Sequence, residues 1–258
     1  MEVHAHANTE RKKWTHYLWE FFMLFLAVFC GFLAENQREH YMEHKRAKNY
    51  ARDLISDLKR DTSMTSVIIR QIHAHIRVID SLASYVKDRK LDQMKNLDLY
   101  VLGALDRYRP FMWNRSITQQ LINSGSLRYF SNPELINKIS AYDAFTHHLD
   151  EDFLGDEERA NSTAIRRHEV IDMNYPQHFI YGLRNNSDST LKTDYYKQLA
   201  ATDRTVILAT DIRSVRIFVN DKLNIRRNLY IRATEELPRL VKDAALIIEL
   251  LKKEYHLK

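Results

Sequence analysis

The sequence predicts an all-α protein: an N-terminal transmembrane helix that continues into a long, heptad-patterned helix, which packs with further helices in an elongated bundle. Glycine (5) and proline (4) are scarce among the 258 residues, and this composition disfavours turn-rich β architectures. Residues 14–34 are apolar enough to cross a bilayer. Residues 32–102 contain neither glycine nor proline, and much of this stretch repeats apolar residues at alternating spacings of four and three, as a coiled-coil helix does.

The apolar segment 14–34 predicts a membrane anchor. As an α-helix it reaches ~31 Å, about one hydrocarbon thickness, and it begins with aromatic residues that favour the headgroup layer. A cleaved signal peptide is one alternative, but the end of the segment is a poor small-x-small cleavage site. A buried helix of a soluble domain is the other, because the charge-free part of the segment is short. We favour an uncleaved anchor over residues 14–36, preceded by a cytoplasmic tail, residues 1–13.

One face of this anchor predicts association with another helix. Ala27 and Gly31 form a small-xxx-small pair, and Ala34 continues the same face. Glu20 also lies on it, and a carboxylate within a membrane span is a functional hypothesis by default. His16, one turn earlier, can pair with Glu20; alternatively, both side chains extend to the membrane interface. We expect Glu20, Ala27, Gly31 and Ala34 to serve transmembrane association.

Residues 37–90 predict one long helix with an apolar seam. The 4-3 spacing runs without a miss from Ala51 to Val86 and includes Ile69, Ile72, Ile76 and Ile79. The centre of the seam is polar, with threonines beside Asp61. Such residues are typical of helix N-caps, so a break near Asp61 is the alternative to a continuous or gently kinked helix. The seam requires a partner helix. A second copy in a parallel homo-oligomer is our preferred partner, and the C-terminal helix of the same chain is the competing one.

Residues 91–258 predict the helical bundle domain. A shorter helix over 91–107 ends before Pro110. Ser116 caps a short helix that ends at Gly125, where glycine supplies a left-handed C-cap. Pro133 then occupies the first position of a helix that runs to about Met173.

The last third of the domain contains the clearest loop and the clearest C-terminal helix. Residues 182–193 are rich in Asn, Ser and Asp and predict a loop. Helix resumes from about Asp203. The C-terminal helix, residues 238–256, repeats the 4-3 spacing up to Tyr255, so its seam can lie along the long first helix.

Three short patterns occur in order along residues 15–145. A Glu opens the span, a Gly lies within it, and an Ala followed by Asn and Gln marks its exit: Glu20, Gly31, Ala34, Asn36 and Gln37. A "YxxxLxxDLxxD" pattern follows in the long helix: Tyr50, Leu54, Asp57, Leu58 and Asp61. The third pattern is "LxxSGxL" before an "EL" helix start: Leu121, Ser124, Gly125, Leu127, Glu134 and Leu135. Together they resemble a family of uncharacterised single-pass membrane proteins of Gram-negative bacteria. The resemblance implies architecture and a cytoplasmic N-terminus but no activity.

Composition and motifs give no sign of catalysis. The 39 basic and 34 acidic residues, a net charge of +5, form a mixed surface that is a weak argument for nucleic acid. The basic run 212–232 fits a solvated helix face better than an RNA site. Nucleotide-binding, hydrolase, zinc-protease and CxxC motifs are absent from the sequence. We therefore predict no cofactor, no nucleic-acid partner and no enzymatic activity.

Two histidine-containing clusters are candidate metal ligands. His40 and His44 share a helix face beside the membrane, but two ligands are too few for a zinc site. The second cluster contains His147, His148, Asp150, Glu151 and Asp152. Of these, His147, Asp150 and Glu151 would share a helical face, which lacks the paired Glu-x-x-His motifs of di-iron bundles. A solvated polar face is our interpretation of both clusters, and a metal-dependent enzyme is the less favoured alternative.

The functional prediction is a non-enzymatic, single-pass protein of the bacterial inner membrane. The basic cluster nearest the membrane, residues 11–13, lies on the N-terminal side, although basic residues on the other flank weaken the argument. With the family resemblance, this places the domain in the periplasm. We expect an oligomeric scaffold, or an extracytoplasmic sensory or partner-binding module with an unidentified protein partner. A soluble or cytoplasm-facing helical adaptor is the alternative.

Overall fold

The computed structural model describes residues 14–104, 108, 110–176, 178–179, 182 and 192–257. These residues form helices and connecting segments without any strand, so the all-α prediction is confirmed. The predicted cytoplasmic tail and most of the predicted loop at 182–193 lie outside the described residues.

Seven α-helices make up the described fold. Their bounds are α1 Trp14–Lys87, α2 Asn96–Gly103, α3 Ser116–Asn123, α4 Pro133–Val170, α5 Asp194–Thr202, α6 Ile212–Ile231 and α7 Leu237–Tyr255. Short 3₁₀ turns, Leu91–Gln93 and Ser126–Tyr129, precede α2 and α4. A π-helical turn, Arg232–Glu236, joins α6 to α7 into one nearly continuous element.

Helix α1 is continuous through its polar centre. It contains 74 residues, which corresponds to a length of ~111 Å. Asp61 does not cap a helix; its Oδ1 accepts hydrogen bonds from the backbone N and the side-chain Nδ2 of Asn114, at 3.0 and 2.7 Å. Asp61, beside the polar centre of the seam, therefore holds the segment that enters α3, and the predicted continuity of the helix is confirmed.

Three long elements form an antiparallel bundle. Helix α4 runs in the same direction as α1, and α6–α7 return between them. Arg226 of α6 binds Asp80 near the end of α1 that is distant from the span, whereas the Tyr255 ring of α7 lies 5.6 Å from the His44 ring near the start of the bundle. The predicted alignment of the C-terminal helix along the first helix is confirmed.

The seam of α1 is covered by the same chain. Ile72, Ile76 and Ile79 are buried against the helices of the bundle, and Ile69 is half-buried at their edge. Of the two partners that the sequence left open, the C-terminal helix of the same chain therefore occupies this seam together with α6. The seam is not available to a second copy, which corrects the expectation that it forms a parallel coiled coil. A homo-oligomer remains a prediction that needs other surfaces.

The core is divided into two apolar clusters along the bundle. The cluster nearer the span contains the seam residues of α1 and the inner faces of α4 and α7, up to Tyr255. The distal cluster gathers around Tyr100 of α2 and Phe218 of α6. Gly103 allows this close packing, because a Cβ there would lie 3.0 Å from Cζ of Phe218.

Several predicted boundaries differ from those observed. The helix expected over 91–107 is a 3₁₀ turn followed by α2, because the Tyr85 hydroxyl accepts a hydrogen bond from the backbone N of Lys95 and fixes the turn. The chain between α5 and α6 is not helical, and α6 begins only where Asp211 accepts a hydrogen bond from the backbone N of Ser214 at 2.9 Å. The prediction that helix resumes from about Asp203 is therefore wrong for residues 203–211. Helix α4 ends at Val170 rather than at about Met173.

The predicted turn after α3 is confirmed. Gly125 has φ 67°, in the left-handed region. Asn132 caps α4 by accepting hydrogen bonds from the backbone N of Glu134 and of Leu135. Ser116 is the first residue of α3 rather than its cap, and Arg115 occupies the cap position without a capping side-chain hydrogen bond to the helix backbone.

Candidate functional site

The N-terminal part of α1 is the one described helix that is long and apolar enough to cross a membrane. Its most apolar window has a mean hydropathy of 2.0, and none of that window is buried against the rest of the chain. Full burial begins only at Ala47, within the bundle. This segment is therefore a candidate membrane span rather than a core helix of the described domain.

The candidate span has two different faces. Phe21, Phe25 and Phe29 stack ring on ring along one face, with centroids 6.5 and 5.9 Å apart. On the other face, His16 Nε2 lies 2.9 Å from Glu20 Oε1, which is the pairing that the sequence left open beside extension of both side chains to the membrane interface. Farther along this face the surface at Gly31 is open, because a Cβ built there has no neighbour within 4 Å. Ala27 and Ala34 continue the same face, and its role in association remains a prediction.

His40 and His44, the candidate ligands beside the candidate span, do not form a metal site with a third residue among the described residues. His40 is exposed and lies 3.7 Å from Glu43, and His44 is in ring contact with Tyr255. Within the described residues, neither belongs to a group of three or more potential ligands.

The second candidate cluster is also dispersed. Asp150 accepts a hydrogen bond from Trp113 Nε1 at 2.9 Å and pairs with Arg115 at 2.7 Å. His147 points instead towards Asp143, at 3.7 Å, and Glu151 is exposed without a partner among the described residues. The structure does not bring His147, Asp150 and Glu151 together.

Two other members of the predicted cluster on α4, His148 and Asp152, do form a group with a residue of the π-helical turn. Ligand-type atoms of His148, Asp152 and Glu236 lie within 4.8 Å of one another. Arg232 lies among them: its Nη1 donates to Asp152 Oδ2 at 2.5 Å and pairs with Glu236. Because the guanidinium already compensates these carboxylates, the arrangement is an ion network rather than a vacant cation site.

Arg232 extends this network into the interior. Its Nε donates to Asp156 Oδ2 at 3.3 Å, and the Tyr108 hydroxyl donates to the same oxygen at 2.9 Å. Burial alone would lower the pKa of Arg232, but the hydrogen bond to Asp152 and the charges of Asp156 and Glu236 raise it overall. Burial, followed by the charge of Asp156, raises the pKa of the Tyr108 phenol. Arg232 therefore stays charged and Tyr108 neutral, which suits a structural clamp between α4 and α6–α7.

The π-helical turn places Arg232 in this network. Pro238 has no N–H to donate to the carbonyl of Thr234, and its ring would clash with that carbonyl in a regular α-helix. The wider turn just before Pro238 relieves this conflict and brings Arg232 to face α4, 8% exposed. The cluster predicted from the sequence already contained His148 and Asp152, but their partner Arg232 lies on another element, so the sequence did not predict the network.

A second internal polar site involves the paired aspartates of α1. Burial raises the pKa of Asp61, partly offset by hydrogen bonds from Asn114 and Tyr142. Burial and the neighbouring charge of Asp61 raise the pKa of Asp57, whose buried Oδ2 has no hydrogen-bond partner. Asp61 has a structural role in holding the segment at 110–115.

Comparison with protein-family models, curated proteins and solved structures found no match to this chain. The resemblance described from the sequence patterns therefore remains an expectation.

Proposed function

We propose that this chain is a non-enzymatic, single-pass protein of the bacterial inner membrane whose helical bundle serves as a partner-binding scaffold in the periplasm. The observation that carries the proposal is the continuity of α1, which runs from the exposed apolar segment into the bundle core without a break. A single helix that is both anchor and core element fixes the direction in which the domain leaves the membrane.

The junction between the span and the bundle supports the scaffold. The last residue of the apolar segment is Ala34, and the first fully buried residue is Ala47. This interval corresponds to ~20 Å of helix. An ion pair between Arg38 and Glu35 lies on its surface, and neither glycine nor proline interrupts it. The bundle is thus held away from the membrane by a short helical stalk rather than by a flexible linker.

The polar sites of the bundle support a structural function. The carboxylates beside His148 are bound by Arg232, and Asp61 is bound by Asn114. These groups connect helices, and in the open pocket of about 230 Å³ beside His148 the carboxylates are already paired with Arg232. A metal-dependent enzyme is for this reason a weaker hypothesis than a scaffold.

Membrane insertion and orientation are tested together. The full-length chain with a C-terminal epitope tag is expressed in a Gram-negative host, and its membranes are washed with alkaline carbonate. We expect the tag to remain in the pellet, to be digested by proteinase K in intact spheroplasts, and to be released from the membrane by the double change Leu26→Lys and Phe29→Lys. A control change outside the span, Lys252→Ala, should leave the tag in the pellet and sensitive to proteinase K, as in the unaltered chain.

Two results would contradict the proposal. Extraction of the unaltered chain by carbonate would favour the soluble adaptor. Retention in the membrane with a tag that resists protease until the spheroplasts are lysed would favour a cytoplasm-facing adaptor.

A further inference from the structure

The solvent face of α4 carries an acidic stripe with two exposed apolar side chains. Leu154 is 64% exposed and Ile165 is 70% exposed. Glu158 lies between them and Glu169 follows, at spacings that keep all four side chains on one helix face. Neither carboxylate forms an ion pair with a described residue. We call these four residues the α4 stripe.

The solvent face of α6 carries a basic stripe of similar design. Tyr230 is 52% exposed and Leu223 is 38% exposed. Arg227 lies between them and Arg216 follows towards the distal end, again on one helix face. Within the described chain neither arginine has an ion-pair partner, whereas the adjacent Arg226 is bound to Asp80. We call these four residues the α6 stripe.

A groove lies beside the α6 stripe at Leu223. Its volume is about 420 Å³, and it runs between the last turns of α1 and the first three turns of α6. Ala83, Val86 and Val219 supply an apolar floor, and Lys87 and Arg216 lie at its rim. An aliphatic side chain followed by a carboxylate would match this combination of apolar floor and basic rim.

The two stripes lie at corresponding distances from the span. Arg166 of α4 binds Asp221 of α6 at 2.7 Å, which places the adjacent Ile165 at the level of Leu223. Arg232 binds Asp152, which places Leu154 near the level of Tyr230. Because the helices are antiparallel, Glu158 then lies level with Arg227, and Glu169 lies near Arg216.

The order of side chains is therefore complementary from the span outwards. The α4 stripe presents an apolar side chain, a carboxylate, an apolar side chain and a carboxylate: Leu154, Glu158, Ile165 and Glu169. The α6 stripe presents an apolar side chain, a cation, an apolar side chain and a cation: Tyr230, Arg227, Leu223 and Arg216. Both stripes are exposed within one protomer, so neither covers the other.

We propose that the α4 stripe of one copy binds the α6 stripe and adjoining groove of a second copy. The inference rests on the proposed function, because chains anchored in one membrane keep the same height and direction. A rotation about the membrane normal then brings unlike stripes together at matching levels, as in a heterologous, head-to-tail contact. Ile165 enters the groove beside Leu223, Leu154 packs on Tyr230, and the charged side chains pair between them. This surface is distinct from the seam of α1, which the chain covers itself.

Mixed cross-linking in membranes tests the contact. Two full-length chains with different tags are co-expressed in a Cys30→Ser background, one with Ile165→Cys and the other with Leu223→Cys. We expect a disulfide-linked dimer that carries both tags, and no dimer from either chain expressed alone. The matched control replaces Leu223→Cys with Ser63→Cys, which is exposed on α1 but lies nearer the span, and it should give at least tenfold less product.

Charge reversal decides whether the stripes themselves make the contact. Glu158→Arg with Glu169→Arg on the Ile165→Cys chain should reduce the mixed dimer at least tenfold. Arg216→Glu with Arg227→Glu on the Leu223→Cys chain should do the same, and combining the two reversed chains should restore it. Failure of the mixed dimer to form, or of the combination to restore it, overturns the proposal.

The remaining outcomes distinguish this contact from binding of a different partner and from loss of membrane insertion. Cross-links from Leu223→Cys to an untagged protein in place of the mixed dimer would assign the α6 stripe to a different partner and overturn the proposal. A missing mixed dimer in chains that remain in the carbonate-washed pellet would refute the contact and leave the membrane scaffold intact. Loss of the chains from that pellet would instead refute the scaffold.

Discussion

At the residue scale, Arg232 connects α4 to the antiparallel element α6–α7. Its guanidinium is 8% exposed and contacts carboxylates of α4 and of the π-helical turn. Removing one partner of a buried ion network leaves the others desolvated without compensation, which typically costs 3–5 kcal/mol.

Arg232→Ala should therefore lower the free energy of unfolding of the detergent-solubilised chain by about 3 kcal/mol or more. The control is Arg239→Ala, because Arg239 is 67% exposed and lies 3.7 Å from Asp243, and a surface pair of this kind contributes below about 1 kcal/mol. Urea denaturation followed by circular dichroism measures both changes. Similar losses for the two variants would show that Arg232 does not act as a clamp.

Asp57 makes stability depend on pH. Burial and the charge of Asp61 raise its pKa in the folded state. The stability contributed by a group with a raised pKa is complete below its unfolded pKa and is lost as the pH rises through the folded pKa. Asp57→Asn, which stays neutral, should therefore raise the melting temperature at pH 7, and this gain should shrink as the pH falls towards 3. Thermal melts of Asp53→Asn, an exposed change one turn earlier, provide the control; an equal gain there, or a gain independent of pH, would contradict the assignment.

At this scale, the sequence predicted contacts within one helix and missed those between helices. The pairing of His16 with Glu20 follows from a four-residue spacing and is observed at 2.9 Å. The partners of Arg232 and Asp61 lie on other elements, so no spacing rule brings them together. Asp61 consequently resembled a helix cap in the sequence, although it binds Asn114.

At the scale of elements, the turn between α3 and α4 depends on Gly125. Its φ of 67° is a conformation that a Cβ disfavours, while the space around it is open. Gly125→Val should destabilise the chain through backbone strain, by about 1–2 kcal/mol. Gly125→Asn should retain more of the stability, because asparagine tolerates the left-handed region.

Thermal unfolding of the full chain measures this difference, with Lys252→Ala as an exposed reference. A melting temperature for Gly125→Val equal to that of the reference would show that the turn does not require glycine. Equal losses for the Val and Asn variants would point to a cause other than backbone conformation.

The long helices were predictable because local periodicity determines them, whereas the irregular elements were not. The 4-3 spacing of α1 and α7 reports which faces are buried, and both helices were assigned from it. The π-helical turn at Arg232–Glu236 arises from the combination of Pro238 with contacts to α4, so periodicity alone predicted only a C-terminal helix that starts at residue 238. The non-helical stretch before α6 depends likewise on its contacts with the distal cluster, where Leu208 donates its backbone N–H to Val170 at 3.1 Å.

At the scale of the whole molecule, the bundle is complete within one chain. Ile72 is fully buried, so Ile72→Cys in a Cys30→Ser background should give no cross-link between chains in membranes. Gly31→Cys lies on the exposed small-residue face of the span and should cross-link if the spans associate. Non-reducing gels after mild oxidation measure both. Efficient interchain cross-linking through Ile72 would mean that the bundle opens to admit a second copy.

In the proposed membrane topology, the unbroken α1 would act as a rigid lever that pivots at the bilayer. The helix extends from Ala34 to Lys87 without a joint, a distance of ~80 Å. A tilt of the span by about 10°, well inside the range that transmembrane helices adopt, would sweep the distal end of the bundle sideways by about 14 Å. Small adjustments to membrane thickness or to a neighbouring span would thus become large displacements at the tip, with no internal rearrangement of the domain.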